Sequence, residues 1–342
     1  MENLLEAWQE FVKGKRSRDD VQVFERNLMT HLFDLHHCLS DMSYTHAPYQ
    51  AFVIHDPKTR NIHKASVADR VLHRALYRKL YPFFDRTFIS DSFSCRMEKG
   101  VHKALHRFTV FSRKVSKNHR KTAWVLKCDI RKFFASIDQC ILLTILDKDI
   151  SDKRVINLLG TILQSFSSGI QNIGLPLGNL TSQILSNVYL NVFDQFVKQH
   201  LHVKYYIRYA DDFVLFSTDR EYLQKMLVQI EEFLFRELHL SLHPQKIAFR
   251  TLASGVDFLG WIHFPHHRIL RTTTKRRMLK NIYTFSKPEI AASYLGLLKH
   301  GNTYKLREYL ISDLSVFLDQ NKLEIPHLVY FPSSHKASKD PS

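Results

Sequence analysis

The chain has 342 residues, with 49 Lys+Arg against 33 Asp+Glu and a formal net charge of +16. A hydrophobic share of 44% is enough for a folded core and argues against disorder. The charge excess points to a polyanionic partner, nucleic acid ahead of an anionic membrane, and disfavours acidic binding modules and enzymes acting on small cations.

In chain order, the first ~40 residues predict helix, with Leu28, Leu32 and Leu35 on one face. The acidic opening MENLLEAWQEF does not read as a secretory signal, so a cytoplasmic location is expected. AFVIHDPKTRNIHKA predicts two strands around a turn at Asp56-Pro57. From Ser66 to Phe84, Val67, Val71, Leu72, Ala75, Leu76 and Leu80 recur at helical spacing. Ala123 to Ile130 predicts a short buried strand. Gly174, Pro176 and Gly178 mark a turn, and Asn179 or Thr181 can start a helix running from Leu180 to His200. Lys204 to Phe216 reads as a hairpin with an acidic corner. Thr218 and Glu221 match a capping box before a helix whose apolar stripe holds Leu223, Met226, Leu227, Ile230, Phe233 and Leu234. Strands are expected at Lys246–Phe249 and Val256–Trp261, helix from about Arg268, and disorder after Phe331. This pattern is α+β.

No apolar run approaches the roughly 18 residues of a membrane span. Cys38, Cys95, Cys128 and Cys140 form no CxxC pair, which excludes a disulfide scaffold and a zinc ribbon. His31, His36 and His37, and His263, His266 and His267, lack metal-ligand context and are expected at the surface or facing nucleic acid.

Asp211 and Asp212 are adjacent at the predicted corner, between aromatic and β-branched flanks. Aspartate is a favoured turn residue in its own right. Two carboxylates side by side nevertheless repel each other, and no Lys or Arg follows them directly, so a divalent cation would suit. Asp129 ends the predicted strand WVLKCD, where aspartate is disfavoured by propensity; a salt bridge to Lys127, Arg131 or Lys132 is the plain alternative. If that strand lies beside the hairpin, three carboxylates converge. Such a cluster binds two Mg²⁺ ions about 4 Å apart and supports in-line displacement at phosphate. Oxygen-only ligands favour Mg²⁺, with Mn²⁺ also compatible. In GLPLGNLTSQ, glycine allows close backbone approach to a ligand, and the following helix start offers N–H groups to phosphate.

The ordered set KCDIRKFF, GLPLGNLTSQ, YADD, LHLSLHPQK and FLGW resembles the palm of a reverse transcriptase. Upstream, DPKTRNIHKASVADRVLHRAL and FISDSFSCRMEKGVHKAL resemble the fingers of bacterial, group II-intron-like enzymes. The resemblance implies a right-hand polymerase fold with fingers, a palm of antiparallel sheet plus helices, and a helical thumb. The corresponding boundaries are a helical extension over 1–44, fingers 45–122, palm 123–262, thumb 263–330 and tail 331–342. The form Leu177-Gly178-Asn179-Leu180-Thr181-Ser182-Gln183 resembles the reverse transcriptases of diversity-generating retroelements, as does SYLGLLKHGNTYKL. The chain ends before a maturase or endonuclease domain would fit, so an intron-encoded multifunctional protein is not expected.

By that resemblance, Asp129, Asp211 and Asp212 are metal-binding catalytic carboxylates and Ile130 lends a backbone carbonyl. Phe134 is the steric gate against a ribose 2′-OH, with Phe133 beside it also at the nucleotide site. Lys58, Arg60 and Arg70 hold the incoming triphosphate, and Leu177 and Gly178 line its pocket. Lys246 matches a lysine that protonates pyrophosphate. Phe258, Leu259, Gly260 and Trp261 match the primer grip. Leu177 stands where accurate relatives carry a hydrogen-bonding glutamine, which implies low fidelity opposite template adenine, with Gln183 shaping the helix entry.

The implied partners are dNTPs, a template RNA, the RNA/cDNA duplex and a small basic accessory protein. A host-defence or retron-like enzyme, or a catalytically silent RNA-binding protein of the same fold, are the alternatives. The charge distribution agrees with a duplex channel. Residues 96–132 carry 12 Lys+Arg against 2 acids, and residues 265–310 carry 10 against 2, so the rest of the chain is nearly neutral.

Overall fold

A computed structural model describes residues 1–55, 58–285 and 288–311. The expected turn at Asp56-Pro57 and the tail after Phe331 lie outside the described residues. The chain divides into two compact units, the first ending at Leu259 and the second beginning at Gly260.

The first unit opens with α1 (Glu2–Val12), α2 (Asp19–Arg26) and α3 (Leu28–Ser40). Strands β1 (Gln50–Ile54) and β2 (Arg60–Lys64) form an antiparallel hairpin with Ile54 opposite Arg60. Helix α4 (Val67–Phe84) follows, its first turn closed by Ser66, whose Oγ accepts from Asp69 N at 3.1 Å. Arg78 pairs with Glu6 and Glu10, and Asn3 Nδ2 donates to Ala75 O at 3.1 Å, so α1 lies along α4.

Helix α5 (Val101–Val115) leads to β3 (Trp124–Asp129). A short helix, α6 (Phe133–Ser136), follows, then α7 (Gln139–Asp149), α8 (Lys153–Gln164) and α9 (Leu180–Gln195). A π-helical turn over Phe196–His200 continues α9. The hairpin β4 (Tyr206–Tyr209) and β5 (Asp212–Ser217) precedes α10 (Arg220–Leu238) and β6 (Ala248–Thr251). The central sheet is antiparallel in the order β4-β5-β3-β6.

Strand alternation gives this sheet two buried faces. Leu126 and Cys128 of β3, with Phe213 and Leu215 of β5, join the larger core with α4, α9 and α10. Val125, Val214 and Phe216 point the other way, into a smaller core with Phe108 and Phe111 of α5. Phe108 lies 4.8 Å from the Phe216 ring and 5.5 Å from that of Phe258 in β7 (Val256–Phe258). Helix α5 thus covers the end of that face away from Asp129.

The second unit begins with a hairpin of β8 (Trp261–His263) and β9 (Arg268–Leu270). It continues with α11 (Thr272–Phe285), α12 (Pro288–Leu298) and helical backbone over 304–311.

Four expectations change. Asp219, not Thr218, caps α10, because its carboxylate accepts from both Glu221 N at 2.8 Å and Tyr222 N at 3.2 Å. The expected strand Val256–Trp261 is broken because Leu259 and Gly260 adopt φ of 49° and 85°, which no strand continues through. Arg268–Leu270 is strand rather than helix, since it completes the hairpin with Trp261–His263. His263 is buried rather than at the surface, because its strand position points inward beside Trp261.

Candidate active site

The turn of the β4–β5 hairpin contains only Ala210 and Asp211, since Tyr209 pairs with Asp212. Ala210 adopts φ 54°, the left-handed geometry that two-residue hairpin turns demand and that glycine would meet without strain. On the neighbouring strand Asp129 stands directly opposite Asp212, and Ile130 N donates to Asp211 O at 3.2 Å. Register therefore brings the three predicted carboxylates to one end of one sheet. By strand alternation Asp129, Asp212 and Lys127 share one face of it.

Burial is the main influence raising the Asp211 carboxyl above the usual range; the Asp129 charge adds to it, and Lys246 and Arg60 oppose it. Asp212 is raised to about 6, chiefly by burial, with the charges of Asp129 and Asp211 adding and Lys127 opposing.

The compensating cations missing from the local sequence come from elsewhere in the fold. Lys246 Nζ donates to Asp129 Oδ1 at 2.6 Å, and Lys127 Nζ lies 4.0 Å from Asp212 Oδ1. Lys246 ends a single 3₁₀ turn (Pro244–Lys246) rather than lying in a strand. That segment is clamped to the end of β3: His243 N donates to Asp129 O at 2.8 Å and Arg131 N to Ser241 O at 2.8 Å. Among the described residues, no three His, Cys, Asp or Glu side chains are gathered closely enough to hold a metal ion. The donor chemistry, three carboxylates and no soft ligand, fits a hard divalent cation.

Behind the turn lies a group that the sequence reading missed. Arg208, fully buried, donates to Asp194 through Nε at 2.8 Å and Nη2 at 2.6 Å. Its Nη1 donates to Asn187 Oδ1 and to the turn carbonyl of Ala210, both at 3.2 Å. Tyr206 Oη also donates to Asp194, at 2.7 Å. This ties α9 to the acidic turn. An arginine in the middle of a short apolar strand, and an aspartate in an apolar helix, were the available signals.

The GLPLGN loop lies against the β1–β2 hairpin. His63 N donates to Leu177 O at 3.0 Å, and Asn179 Nδ2 donates to His63 O at 3.0 Å. Gly178 has φ 106°, and a Cβ there would fall 2.8 Å from Ile62 Cγ2. Its close approach is to protein, where a ligand was expected. Leu177 is half-buried, as is Gln183 near the start of α9.

Other expected site residues divide. Phe134 is partly exposed, its ring centroid 5.3 Å from that of Phe133. Phe133 is 3% exposed and belongs to the core, which corrects its assignment to the nucleotide site. Ile130 likewise buries its side chain, leaving only its backbone for a metal role. Lys58 and Arg60 are exposed on the β1–β2 hairpin. Arg70 is instead committed to Asp20, with its guanidinium 5.1 Å from the Phe11 ring centroid, so it secures the N-terminal helices rather than a triphosphate. Of the expected primer grip, Phe258 and Trp261 are each interior to their own unit, and only Leu259 and Gly260 form an accessible turn. Trp261 has no surface to offer: a Cβ on Gly301 would fall 2.0 Å from its ring.

This antiparallel sheet, with its carboxylate hairpin beside a single acidic strand end, is the palm of a nucleic-acid polymerase. The family model of the reverse transcriptase (RNA-dependent DNA polymerase) matches residues 55–263, more than half of the chain, and the chain belongs to that family. By class it is an RNA-directed DNA polymerase with the reverse transcriptase fold. Protein YkfC of Escherichia coli K12 is 24% identical over 285 residues, covering 70% of this chain and 72% of YkfC. Group II intron-encoded protein LtrA of Lactococcus lactis is 23% identical over 169 residues, 47% of this chain and 27% of LtrA. A telomerase from Candida albicans, solved with a TWJ fragment of telomeric RNA, superposes with a TM-score of 0.49 at 12% identity; the match covers 72% of this chain and 51% of that one. The chain thus spans about a quarter of LtrA and half of the telomerase chain.

Proposed function

We propose that this reverse transcriptase serves a diversity-generating retroelement, copying a template-repeat RNA into cDNA that is mutated at template adenines. The observation that carries this reading is the apolar Leu177 at the head of Leu177-Gly178-Asn179-Leu180-Thr181-Ser182-Gln183. Its carbonyl is already engaged by His63 N at 3.0 Å, so the residue offers a nucleotide little beyond an apolar side chain. Apolar fit discriminates between similar substrates more weakly than hydrogen bonding does.

In this reading Asp129, Asp211 and Asp212, with the Ile130 carbonyl, hold divalent cations, Mg²⁺ first and Mn²⁺ as an alternative. Cations held by these residues would supply Lewis acidity for a primer hydroxyl and positive charge for the leaving pyrophosphate. The protein's own part is positioning. The β3–β5 register fixes Asp129 opposite Asp212, Arg208 holds the turn from behind, and the partly exposed Phe134 would supply the ring that bars a 2′-hydroxyl. Exposed Arg60 and Lys58 offer positive charge to a triphosphate. The two basic stretches, 96–132 and 265–310, supply charge for an RNA/cDNA duplex, which makes binding salt-dependent and largely sequence-independent. A small basic accessory protein and a cytoplasmic setting belong to the same reading.

The test is primer extension on an RNA template with Mg²⁺ and dNTPs, followed by product sequencing. Wild type is expected to misincorporate mainly opposite adenine, and Leu177→Gln to lower those errors several-fold. An unchanged spectrum in that variant would remove the basis for the retroelement assignment. Asp211→Ala combined with Asp212→Ala is the inactive control.

A further inference from the structure

We infer that Lys246 is a resident counter-ion of the active site, held on Asp129 until a divalent cation displaces it. The inference rests on the reading of Asp129, Asp211 and Asp212 as metal ligands and adds which side chain competes for one of those carboxylates.

The contact is direct, Lys246 Nζ to Asp129 Oδ1 at 2.6 Å. It is also arranged by the backbone. His243 N donates to Asp129 O at 2.8 Å and Lys246 N to His243 O at 2.9 Å, so the 3₁₀ turn delivers the lysine to that carboxylate. The two partners differ in access. The Asp129 side chain is 10% exposed and that of Lys246 is 38% exposed, so the ammonium has a path back to water.

The neighbouring carboxylates show why a cation is needed. Asp211 and Asp212 stand within each other's field and that of Asp129, and among the described residues only Lys127 approaches Asp212, at 4.0 Å. Without Lys246 the pocket would hold three acids facing one lysine and the exposed Arg60. Lys246 meets this demand and at the same time uses an oxygen that a metal requires. An ammonium and a divalent cation compete for the same lone pairs and repel each other when both are present. Lys246 therefore becomes free to act elsewhere in the pocket only once metal has entered.

The experiment measures Mn²⁺ binding to the full chain by electron paramagnetic resonance, without nucleotide. It compares wild type, Lys246→Met and Lys246→Gln. Both variants are expected to bind Mn²⁺ about tenfold more tightly, the effect of removing one like charge from the site. They should also show a lower melting temperature in EDTA and a larger Mg²⁺-induced rise than wild type. Unchanged or weaker Mn²⁺ affinity in both variants, alongside slowed nucleotide addition, would overturn the counter-ion role and leave Lys246 as a proton donor only. Asp129→Asn separates the two levels. If it retains wild-type Mn²⁺ affinity, the metal-ligand reading itself fails, whatever the lysine variants do.

Discussion

The acidic turn is bounded by two ion pairs that use the same chemistry for opposite ends. Behind it, Arg208 and Asp194 are both 0% exposed and joined by two short hydrogen bonds. In front, Lys246 and Asp129 share one contact at the edge of solvent. A buried pair cannot exchange its partners for water, because either ion alone would bear a large desolvation cost. It therefore fixes geometry: Arg208 reaches the Ala210 carbonyl and holds a turn whose φ of 54° is unfavourable for alanine. The front pair is open on one side: Lys246, 38% exposed, returns to water when it parts, while the 10% exposed Asp129 carboxylate needs another cation in its place. Rigidity behind and exchange in front are what a site needs when it must keep its carboxylates aligned while admitting cations and nucleotide.

The contrast can be broken most directly at Arg208. Arg208→Met leaves Asp194 charged and buried, and should cost about 3–5 kcal/mol in urea unfolding. Lys246→Met, by contrast, should cost clearly less, because the lysine is 38% exposed and Asp129 keeps an edge of solvent. Equal losses for the two would erase the distinction. Replacing Arg208 and Asp194 together with apolar residues should cost less than Arg208→Met alone, since no uncompensated ion remains.

A second dry group extends the comparison to pH. His73, 1% exposed in α4, has no hydrogen-bond partner at either ring nitrogen among the described residues. Burial, helped by the nearby His46, lowers its pKa from 6.5 to about 3. The unfolded chain therefore takes up a proton before the folded one does. This contribution to stability is intact above pH ~6.5 and falls as the pH drops towards ~3, by up to about 1.4 kcal/mol per pH unit. His73→Phe should flatten that part of the profile in urea unfolding from pH 7 to 4. A parallel slope in the variant would show that other groups dominate.

A more local effect is expected where the GLPLGN loop meets the β1–β2 hairpin. Gly178→Ala meets Ile62 Cγ2 at 2.8 Å and a φ of 106°, and should cost about 1–2 kcal/mol. Adding Ile62→Ala should recover only the steric part, because the backbone strain stays. Hydrogen exchange at the His63 amide would report whether the loop has detached.

Much of the palm is readable locally. Alternation through Trp124–Asp129 and Tyr206–Ser217 is a property of consecutive residues, and a two-residue acidic corner between such runs implies a hairpin. Three carboxylates at one sheet end follow if those strands pair, and they do. The counter-ions were not readable. Lys246 lies 117 positions from Asp129, and the local candidates Arg131 and Lys132 are not what meets that carboxylate. Arg70 had the charge expected of a triphosphate ligand, yet its position along α4 gives it to Asp20. Phe133 and Phe134 are equivalent as letters; the short helix α6 turns one into the core and leaves the other partly exposed.

The sequence by itself determined the class of protein, its elements and the acids at their ends, because helix period, strand alternation and turn chemistry act over a few residues. Tertiary structure alone decided which basic side chain faces which acid, which of two aromatic rings is accessible, and that Gly178 serves contact with the β1–β2 hairpin. Those outcomes depend on distances between residues far apart in the chain, and electrostatic and packing energies are set by such distances and by burial.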